Sequence, residues 1–163
     1  LLDIFYNDKY KNSIILELGT SQGQSTKMLS RVFKHVYTVE WDDWNIEQAK
    51  ERCKDSNNIT FIKTDLYGKE WDLPKPDIVF IDAGHTYENV ISDIENCIKH
   101  FNDPIFIFDD YGLPPGEVKK AINDKINDGT LKLNKFIGES PETLIHAGGT
   151  KFIDMEGCIC NLK

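Results

Sequence analysis

The chain has 163 residues and a formal net charge of −8, a length that suits one domain with a sizeable core. The acidic balance argues against a surface that tracks nucleic-acid phosphates or anionic lipid, because such a surface needs clustered lysine and arginine. No apolar run approaches the ~20 residues of a membrane helix, and no signal peptide is recognisable. We expect a single cytoplasmic domain over residues 1–163, and the start at Leu1 rather than Met is compatible with a domain cut from a longer chain.

The four cysteines show no spacing that is typical of a metal site. Cys158 and Cys160 stand two apart, whereas Cys53 and Cys97 are isolated. No C-x-x-C pair occurs, and no histidine lies at zinc-site spacing from any of them. We interpret all four as reduced thiols packed as small hydrophobic side chains.

Strand and helix patterns alternate along most of the chain. Short apolar, β-branched runs bounded by turn residues predict five strands, and their nearly continuous apolar character is typical of parallel strands covered on both faces. Helical periodicity fills the gaps between them, except for a looser link before the fourth strand. This order predicts an α/β fold with a doubly wound, mostly parallel seven-stranded sheet that ends in an antiparallel hairpin. The predicted strands are 13–19, 35–41, 58–64, 77–83, 104–110, 131–138 and 157–163, and the predicted helices are 24–34, 44–54, 89–101 and 116–127.

The turn after the first strand has the features of a ligand-binding loop. Ligands of open α/β sheets sit outside the carboxyl ends of the strands. In ELGTSQGQST (17–26), Gly19 and Gly23 allow a tight turn and a close approach of backbone to ligand. Ser25 opens the following helix, whose N–H groups favour an anion. Glu40 ends the next strand about 20 residues later, where a carboxylate can accept both hydroxyls of a ribose.

Two classes of cofactor use such a turn. The dinucleotide fingerprint G-x-G-x-x-G requires glycine at the positions of Ser21 and Gln24, so a dinucleotide oxidoreductase is disfavoured. The pattern E-x-G-x-x-x-G instead resembles the first motif of class I methyltransferases that use S-adenosylmethionine, in the form found in small catechol-type O-methyltransferases. The resemblance covers about residues 13–163, including the closing antiparallel strand.

The resemblance implies a cofactor site, residue by residue. Glu17 and the two glycines would shape the methionine pocket, Ser25 would bind the methionine carboxylate, and Glu40 would bind the ribose. Asp65, after the third strand, would lie beside the adenine, and Trp41 would pack on its face. The implied cofactor-binding set is Glu17, Gly19, Thr20, Ser21, Gly23, Ser25, Glu40, Trp41, Asp65, Leu66 and Asp82.

Two further strands end in carboxylates. Asp82 follows the fourth predicted strand, and Asp109 and Asp110 follow the fifth. If the two strands are neighbours, these carboxylates meet at one edge of the sheet and repel, and a bound cation removes that cost. Oxygen ligands suit Mg²⁺ best, with Mn²⁺ or Ca²⁺ as alternatives. A cation bound to an alcohol lowers its pKa, and His85, three residues past Asp82, is the natural base to remove the proton.

The segments around these carboxylates resemble a smaller group within the class I methyltransferases. IDAGHTYENVISDI (81–94) and FIFDDYGLPPGEVKKAI (106–122) resemble metal-dependent O-methyltransferases, and D-D-Y-G is similar to a segment of the macrocin-type sugar enzymes. The resemblance implies a divalent metal on Asp82 and the Asp109–Asp110 pair, with Asp82 and His85 as catalytic residues. The sugar enzymes carry a catalytic aspartate where this chain has Gly84, which shifts the role of base to His85.

The sequence therefore predicts a metal-assisted, S-adenosylmethionine-dependent O-methyltransferase that acts on a sugar hydroxyl of a glycan or glycosylated metabolite. A catechol-like phenol is the alternative acceptor, and a non-catalytic cofactor-binding module is the alternative from another class. We expect neither nucleic acid nor membrane as a partner. Residues 1–12 are too short to cover the acceptor, so the acceptor site is either open or completed by a second subunit of a homo-oligomer or by another domain. Segment 138–150 is predicted as a loop, either mobile beside the acceptor or an ordinary surface loop.

Overall fold

In the computed structural model, residues 10–68, 70–138, 149–151 and 153–163 are described. Their strands form a seven-stranded mixed sheet, so the predicted α/β fold with an antiparallel closing pair is confirmed. The strands are β1 (Ile14–Leu18), β2 (His35–Glu40), β3 (Ile59–Lys63), β4 (Ile78–Ile81), β5 (Ile105–Phe108), β6 (Leu131–Ile137) and β7 (Gly157–Leu162). The helices are α1 (Gln24–Leu29), α2 (Asp43–Arg52), α3 (Tyr87–His100) and α4 (Glu117–Asn127).

The chain divides into two compact units, and the first ends at Ala83. Its strands are all parallel and follow the order β3-β2-β1-β4. Strands β1 and β4 are almost fully buried, whereas β3, at the end of this order, contains only half-buried and exposed residues. Because the strands are parallel, the turns that follow them lie along one edge, as expected for a ligand site.

Helix α1 is shorter than the sequence predicts. The periodicity indicates a helix over 24–34, but α1 ends at Leu29. Two carbonyl groups beyond Leu29 accept hydrogen bonds from a residue outside the helix. The side-chain amide of Asn58 donates to the carbonyls of Ser30 and Phe33 over 2.9 and 3.0 Å. These bonds stabilise a series of turns that lead directly into β2.

The second unit, from Gly84 onward, contains the mixed part of the sheet. Strand β7 lies between β5 and β6 and is antiparallel to both. Gly157 begins β7 against β5 so closely that a Cβ atom there would stand 2.3 Å from the carbonyl oxygen of Phe108. Helices α3 and α4 each bury one apolar stripe.

The cysteines are buried thiols, as expected for small hydrophobic side chains. In the part of the chain that the structure describes, no helix combines the length and the apolar character needed to cross a bilayer. Most of the predicted loop at 138–150 lies outside the described residues, so its role stays a prediction.

Candidate active site

The turn after β1 depends on two glycines with left-handed backbone angles. Gly19 has φ of +96°, and a Cβ atom there would stand 2.2 Å from the carbonyl oxygen of Asp82. Gly23 has φ of +79°, and its Cβ would stand 2.9 Å from both Cα and Cβ of Ala49 in α2. Only glycine accepts the angle together with the close approach. The turn therefore lies against the end of β4 on one side and against α2 on the other.

The carboxylate of Glu40 holds the middle of this turn. Ser21 has φ of +45°, which is uncommon for serine, and its N–H donates to Glu40 Oε2 over 2.9 Å. Oε1 of the same carboxylate accepts the backbone N–H groups of Trp41 and Asp42, each over 3.0 Å. Glu40 therefore ties the turn after β1 to the end of β2.

Glu17 lies beneath the turn with no solvent exposure. Its Oε2 accepts the hydroxyl groups of Thr26 and Thr38 over 2.5 and 2.6 Å, and Oε1 has no partner among the described residues. Burial raises the pKa of Glu17 to about 8, although the two threonine hydrogen bonds lower it, and nearby Asp82 adds a smaller rise. At neutral pH the Glu17 carboxyl is therefore mostly protonated.

Three threonines connect both ends of the turn to this carboxyl group. Thr26 binds Glu17 directly, and Thr20 shares a hydrogen bond with Thr38, which in turn binds Glu17. Thr20 is among the predicted cofactor-binding residues, whereas Thr26 is expected only at the start of the helix and Thr38 is not singled out. A signal for Thr38 existed, because it is the polar residue inside the apolar run HVYTVEW and pairs directly with Glu17 in the register of β1 and β2.

The remaining predicted cofactor residues of the first unit lie on the same edge. Ser25 is half-buried in the first turn of α1. Trp41 follows β2 with 70% of its surface exposed, so its indole is not a core side chain and has a face available for a ligand. Asp65 and Leu66 follow β3, with the aspartate exposed and the leucine buried.

In the second unit, His85 contacts Asp110. The imidazole Nε2 lies 3.1 Å from Asp110 Oδ2, with the His85 side chain 43% exposed and the Asp110 side chain 8% exposed. Asp110 stands just after β5 with φ of +55°, a left-handed angle that aspartate tolerates better than most residues. Asp109 precedes it and is half-buried. The structure thus brings the predicted base against one of the predicted metal ligands.

The segment that carries His85 is fixed by its neighbours in the second unit. Thr86 caps α3 by accepting the N–H of Asn89 over 3.3 Å. The N–H of Tyr87 donates to Glu117 Oε2 of α4 over 3.1 Å, and the Tyr87 hydroxyl donates to Asp124 over 2.9 Å. These contacts hold the residues that directly follow His85.

The donor atoms in the second unit suit a metal ion. Among the described residues, His85 and Asp110 belong to a group of side chains that could together bind a metal ion. Asp109 is not a member of that group. An imidazole nitrogen beside a carboxylate oxygen is a common donor pair for divalent cations. The sequence predicts His85 only as a base, so its position among the candidate ligands is an addition.

Solved structures with the same fold are methyltransferases of several kinds. The chain is similar to NSun6 from Pyrococcus horikoshii, determined with SFG, at a TM-score of 0.70 and 16% identity over 94% of this chain and 48% of that one. It is similar to a ribosomal protein L11 methylase from Lactobacillus delbrueckii subsp. bulgaricus at a TM-score of 0.71 and 16% identity, covering 98% and 74%. Fibrillarin from Aeropyrum pernix, with natively bound S-adenosyl-L-methionine, matches at a TM-score of 0.66 and 15% identity, covering 94% and 67%. The chain thus spans about half the length of NSun6. At identities this low, the structural similarity establishes the fold alone.

The fold is therefore that of a methyltransferase-type α/β domain. Residues 16–111, more than half of the sequence, match the family described as "Methyltransferase domain", and the chain belongs to this family. No curated protein matches the sequence.

Proposed function

We propose that the chain is an S-adenosylmethionine-dependent, metal-assisted O-methyltransferase whose acceptor is a sugar hydroxyl. The observation that carries the proposal is the contact of His85 with the buried carboxylate of Asp110 at the carboxyl end of β5, in a chain of the methyltransferase family. An imidazole beside an acid is suited to taking a proton from an alcohol.

The first unit supports the cofactor half of the proposal. The glycine turn is held from below by Glu17 and from the side by Glu40, so its backbone is ordered before a ligand arrives. Preorganisation of this kind lowers the entropic cost of binding. Glu40 would accept the ribose hydroxyls beside the exposed indole of Trp41, and Ser25 would bind the methionine carboxylate. The fibrillarin of similar fold that was determined with natively bound S-adenosyl-L-methionine is consistent with this choice of cofactor.

The second unit supports the metal half. We propose Asp82, Asp109 and Asp110 as ligands, and His85 is an additional ligand only in the case in which it does not act as the base. When bound, the cofactor would supply a sulfonium methyl group and the cation would lower the pKa of the acceptor hydroxyl. Carboxylates alone favour Mg²⁺, Mn²⁺ or Ca²⁺, whereas an imidazole ligand shifts the preference toward transition metals.

The contact with Asp110 bears on how His85 acts. If Nε2 carries a proton and donates it to the Asp110 carboxylate, Nδ1 is the nitrogen with a lone pair for the acceptor proton. The carboxylate then fixes the tautomer and stabilises the imidazolium that forms. If Nε2 instead ligates a cation, His85 is a positioning group and not the base. The pH dependence of turnover at saturating metal distinguishes these two roles, because a titrating base keeps an acidic limb there whereas a metal-bound imidazole does not.

The acceptor is proposed from the D-D-Y-G segment at 109–112, which is similar to the sugar enzymes. A catechol-like phenol remains the second candidate. A nucleic-acid acceptor is disfavoured by the net charge of −8, although a fibrillarin described as a pre-rRNA processing protein shares the fold. A cytoplasmic location and completion of the acceptor site by a second subunit or another domain are part of the same proposal.

The test compares Asp110→Asn with Asp103→Asn. Both aspartates have left-handed φ angles, +55° and +53°, and they lie beyond opposite ends of β5, so the control repeats the chemical change away from the site. With sugar and catechol acceptors, we expect EDTA to abolish methyl transfer by the wild type and Mg²⁺ or Mn²⁺ to restore it. Asp110→Asn should lower turnover roughly 10²-fold or more and leave cofactor affinity unchanged, whereas Asp103→Asn should match the wild type. Turnover that EDTA leaves intact would reject the metal.

A non-catalytic cofactor-binding module makes a different prediction for the same protein. Calorimetry would then detect S-adenosylmethionine binding, while no acceptor in a broad panel of sugars, phenols and glycosylated metabolites would gain a methyl group. That combination of results would replace the proposed function.

A further inference from the structure

The connection between β3 and β4 carries the two residues predicted beside the adenine, Asp65 and Leu66. It runs from residue 64 to residue 77, and its described residues contain neither helix nor strand. Its ends are tied to the sheet, since Thr64 N–H donates to the Glu40 carbonyl over 3.1 Å and Asp77 N–H donates to the Ile14 carbonyl over 2.9 Å. A long irregular segment next to a ligand needs anchors between its ends to keep one conformation.

Trp71 supplies such an anchor. Its side chain is buried, with 7% of its surface exposed, and the indole Nε1–H donates to the backbone carbonyl of Leu66 over 2.9 Å. Burying an indole contributes a large apolar contact, and its N–H needs a partner once it is removed from water. The Leu66 carbonyl is that partner, five residues back along the chain. Trp71 therefore fixes the backbone on the C-terminal side of Asp65.

The Asp65 side chain is fixed by the same piece of backbone. Its Oδ1 accepts the N–H of Tyr67 over 2.9 Å, which closes a tight turn around Leu66. A Cβ atom on Gly68 would stand 2.6 Å from Asp65 Oδ2, so the other carboxylate oxygen lies against the same turn. The orientation of the Asp65 carboxylate thus depends on the conformation of residues 65–68. The Trp71 indole stabilises that conformation through its hydrogen bond to the carbonyl of Leu66.

We propose that Trp71 is a positioning residue for the adenosine half of the cofactor, acting through the carbonyl of Leu66 and the carboxylate of Asp65. This inference rests on the proposed function, because Asp65 has its role only if S-adenosylmethionine binds. The effect of the Trp71 indole is to hold Asp65 in the conformation that receives the adenosine, so its loss raises the dissociation constant and the KM of the cofactor and leaves kcat unchanged.

The experiment uses Trp71→Phe, which keeps an aromatic ring in the core but removes the N–H donor. S-adenosylhomocysteine binding is measured by calorimetry for the wild type, Trp71→Phe, Asp65→Asn and the double variant. We expect Trp71→Phe to raise the dissociation constant roughly five- to tenfold, the effect of losing one buried hydrogen bond. In the Asp65→Asn background the same substitution should have a clearly smaller effect, because the two residues act through one contact.

The matched control is Trp44→Phe, the same substitution at a tryptophan of the first unit that is 60% exposed, and it should bind like the wild type. An unchanged dissociation constant in Trp71→Phe, or equal losses in both backgrounds, would overturn the proposal. If the wild type itself does not bind S-adenosylhomocysteine, the proposed function fails instead.

A measurement on the unaltered protein covers the case in which Trp71→Phe does not fold. The chain has three tryptophans, so three indole N–H signals are expected in an NMR spectrum of protein labelled with ¹⁵N-tryptophan. The Trp71 signal should exchange with solvent far more slowly than those of Trp41 and Trp44, and S-adenosylhomocysteine should slow it further. Exchange as fast as that of the exposed indoles would refute the anchor.

Discussion

Replacing Glu17 by glutamine should make the stability of the protein less dependent on pH. Glutamine has nearly the shape of the protonated acid and keeps an oxygen to accept the hydroxyl groups of Thr26 and Thr38. The wild-type carboxyl has a pKa of about 8 in the folded protein, raised from 4.5 by burial. Between these two values the folded state holds a proton that the unfolded state has released, so the free energy of unfolding falls as pH rises.

The magnitude follows from the size of the shift. One pKa unit corresponds to ~1.4 kcal/mol, so the wild type should lose about 1.4 kcal/mol per pH unit from this residue above pH 4.5 and level off above pH 8. Other titrating groups act equally in both proteins. The unfolding free energy of Glu17→Gln minus that of the wild type should therefore rise by about 3 kcal/mol between pH 5.5 and pH 7.5.

Urea denaturation of the cofactor-free proteins, followed by circular dichroism at pH 5.5, 6.5 and 7.5, measures this difference. Glu47→Gln is the control, because the Glu47 side chain is 70% exposed and its replacement should give a constant difference. Parallel stability curves for the wild type and Glu17→Gln would refute the conclusion that burial keeps Glu17 protonated at neutral pH.

Two further substitutions test the turn after β1 and the site in the second unit. Gly23→Ala should destabilise the protein by about 2–4 kcal/mol, from backbone strain and the clash with Ala49. Gly129→Ala, at a similar φ of +85° but with only the end of the Lys163 side chain within 4 Å, should cost only the strain of about 1 kcal/mol; equal losses in thermal or urea unfolding would argue against the clash. His85→Ala should lower kcat and remove the acidic limb of the pH–rate profile, because a base must be unprotonated to act. A limb that persists in the variant would exclude His85 as the base.

The sheet was predictable because its signals are local. Five apolar runs and a closing hairpin could be read from residue type alone, and β5 and β7 lie where those patterns indicate. The end of α1 was not predictable, because the residues after Leu29 continue the helical periodicity. What stabilises the turns there is Asn58, which is distant in sequence, and such a contact leaves no mark on the local pattern.

The candidate site also contains residues that the sequence pattern indicates and residues whose role depends on contacts distant in sequence. Gly19 and Glu40 stand out by their spacing, but the reason for Gly23 is the approach of Ala49, which spacing does not reveal. Trp71 reads as an ordinary aromatic residue in an irregular segment, because its hydrogen bond to a backbone carbonyl depends on a conformation that the sequence does not specify. Residues that act through the backbone of others are the ones that single-sequence reasoning misses.

The three backbone hydrogen bonds of Glu40 change how its variants must be interpreted. Removing this carboxylate would leave the amides of Ser21, Trp41 and Asp42 without an acceptor, so an alanine variant would lose binding even if no ribose ever touched the side chain. Glutamine keeps one acceptor oxygen and is the more informative replacement. A loss of cofactor affinity in a Glu40 variant combines two effects, the disordering of the turn after β1 and the loss of the direct contact with the ligand. A comparison of the alanine and glutamine variants separates these two effects.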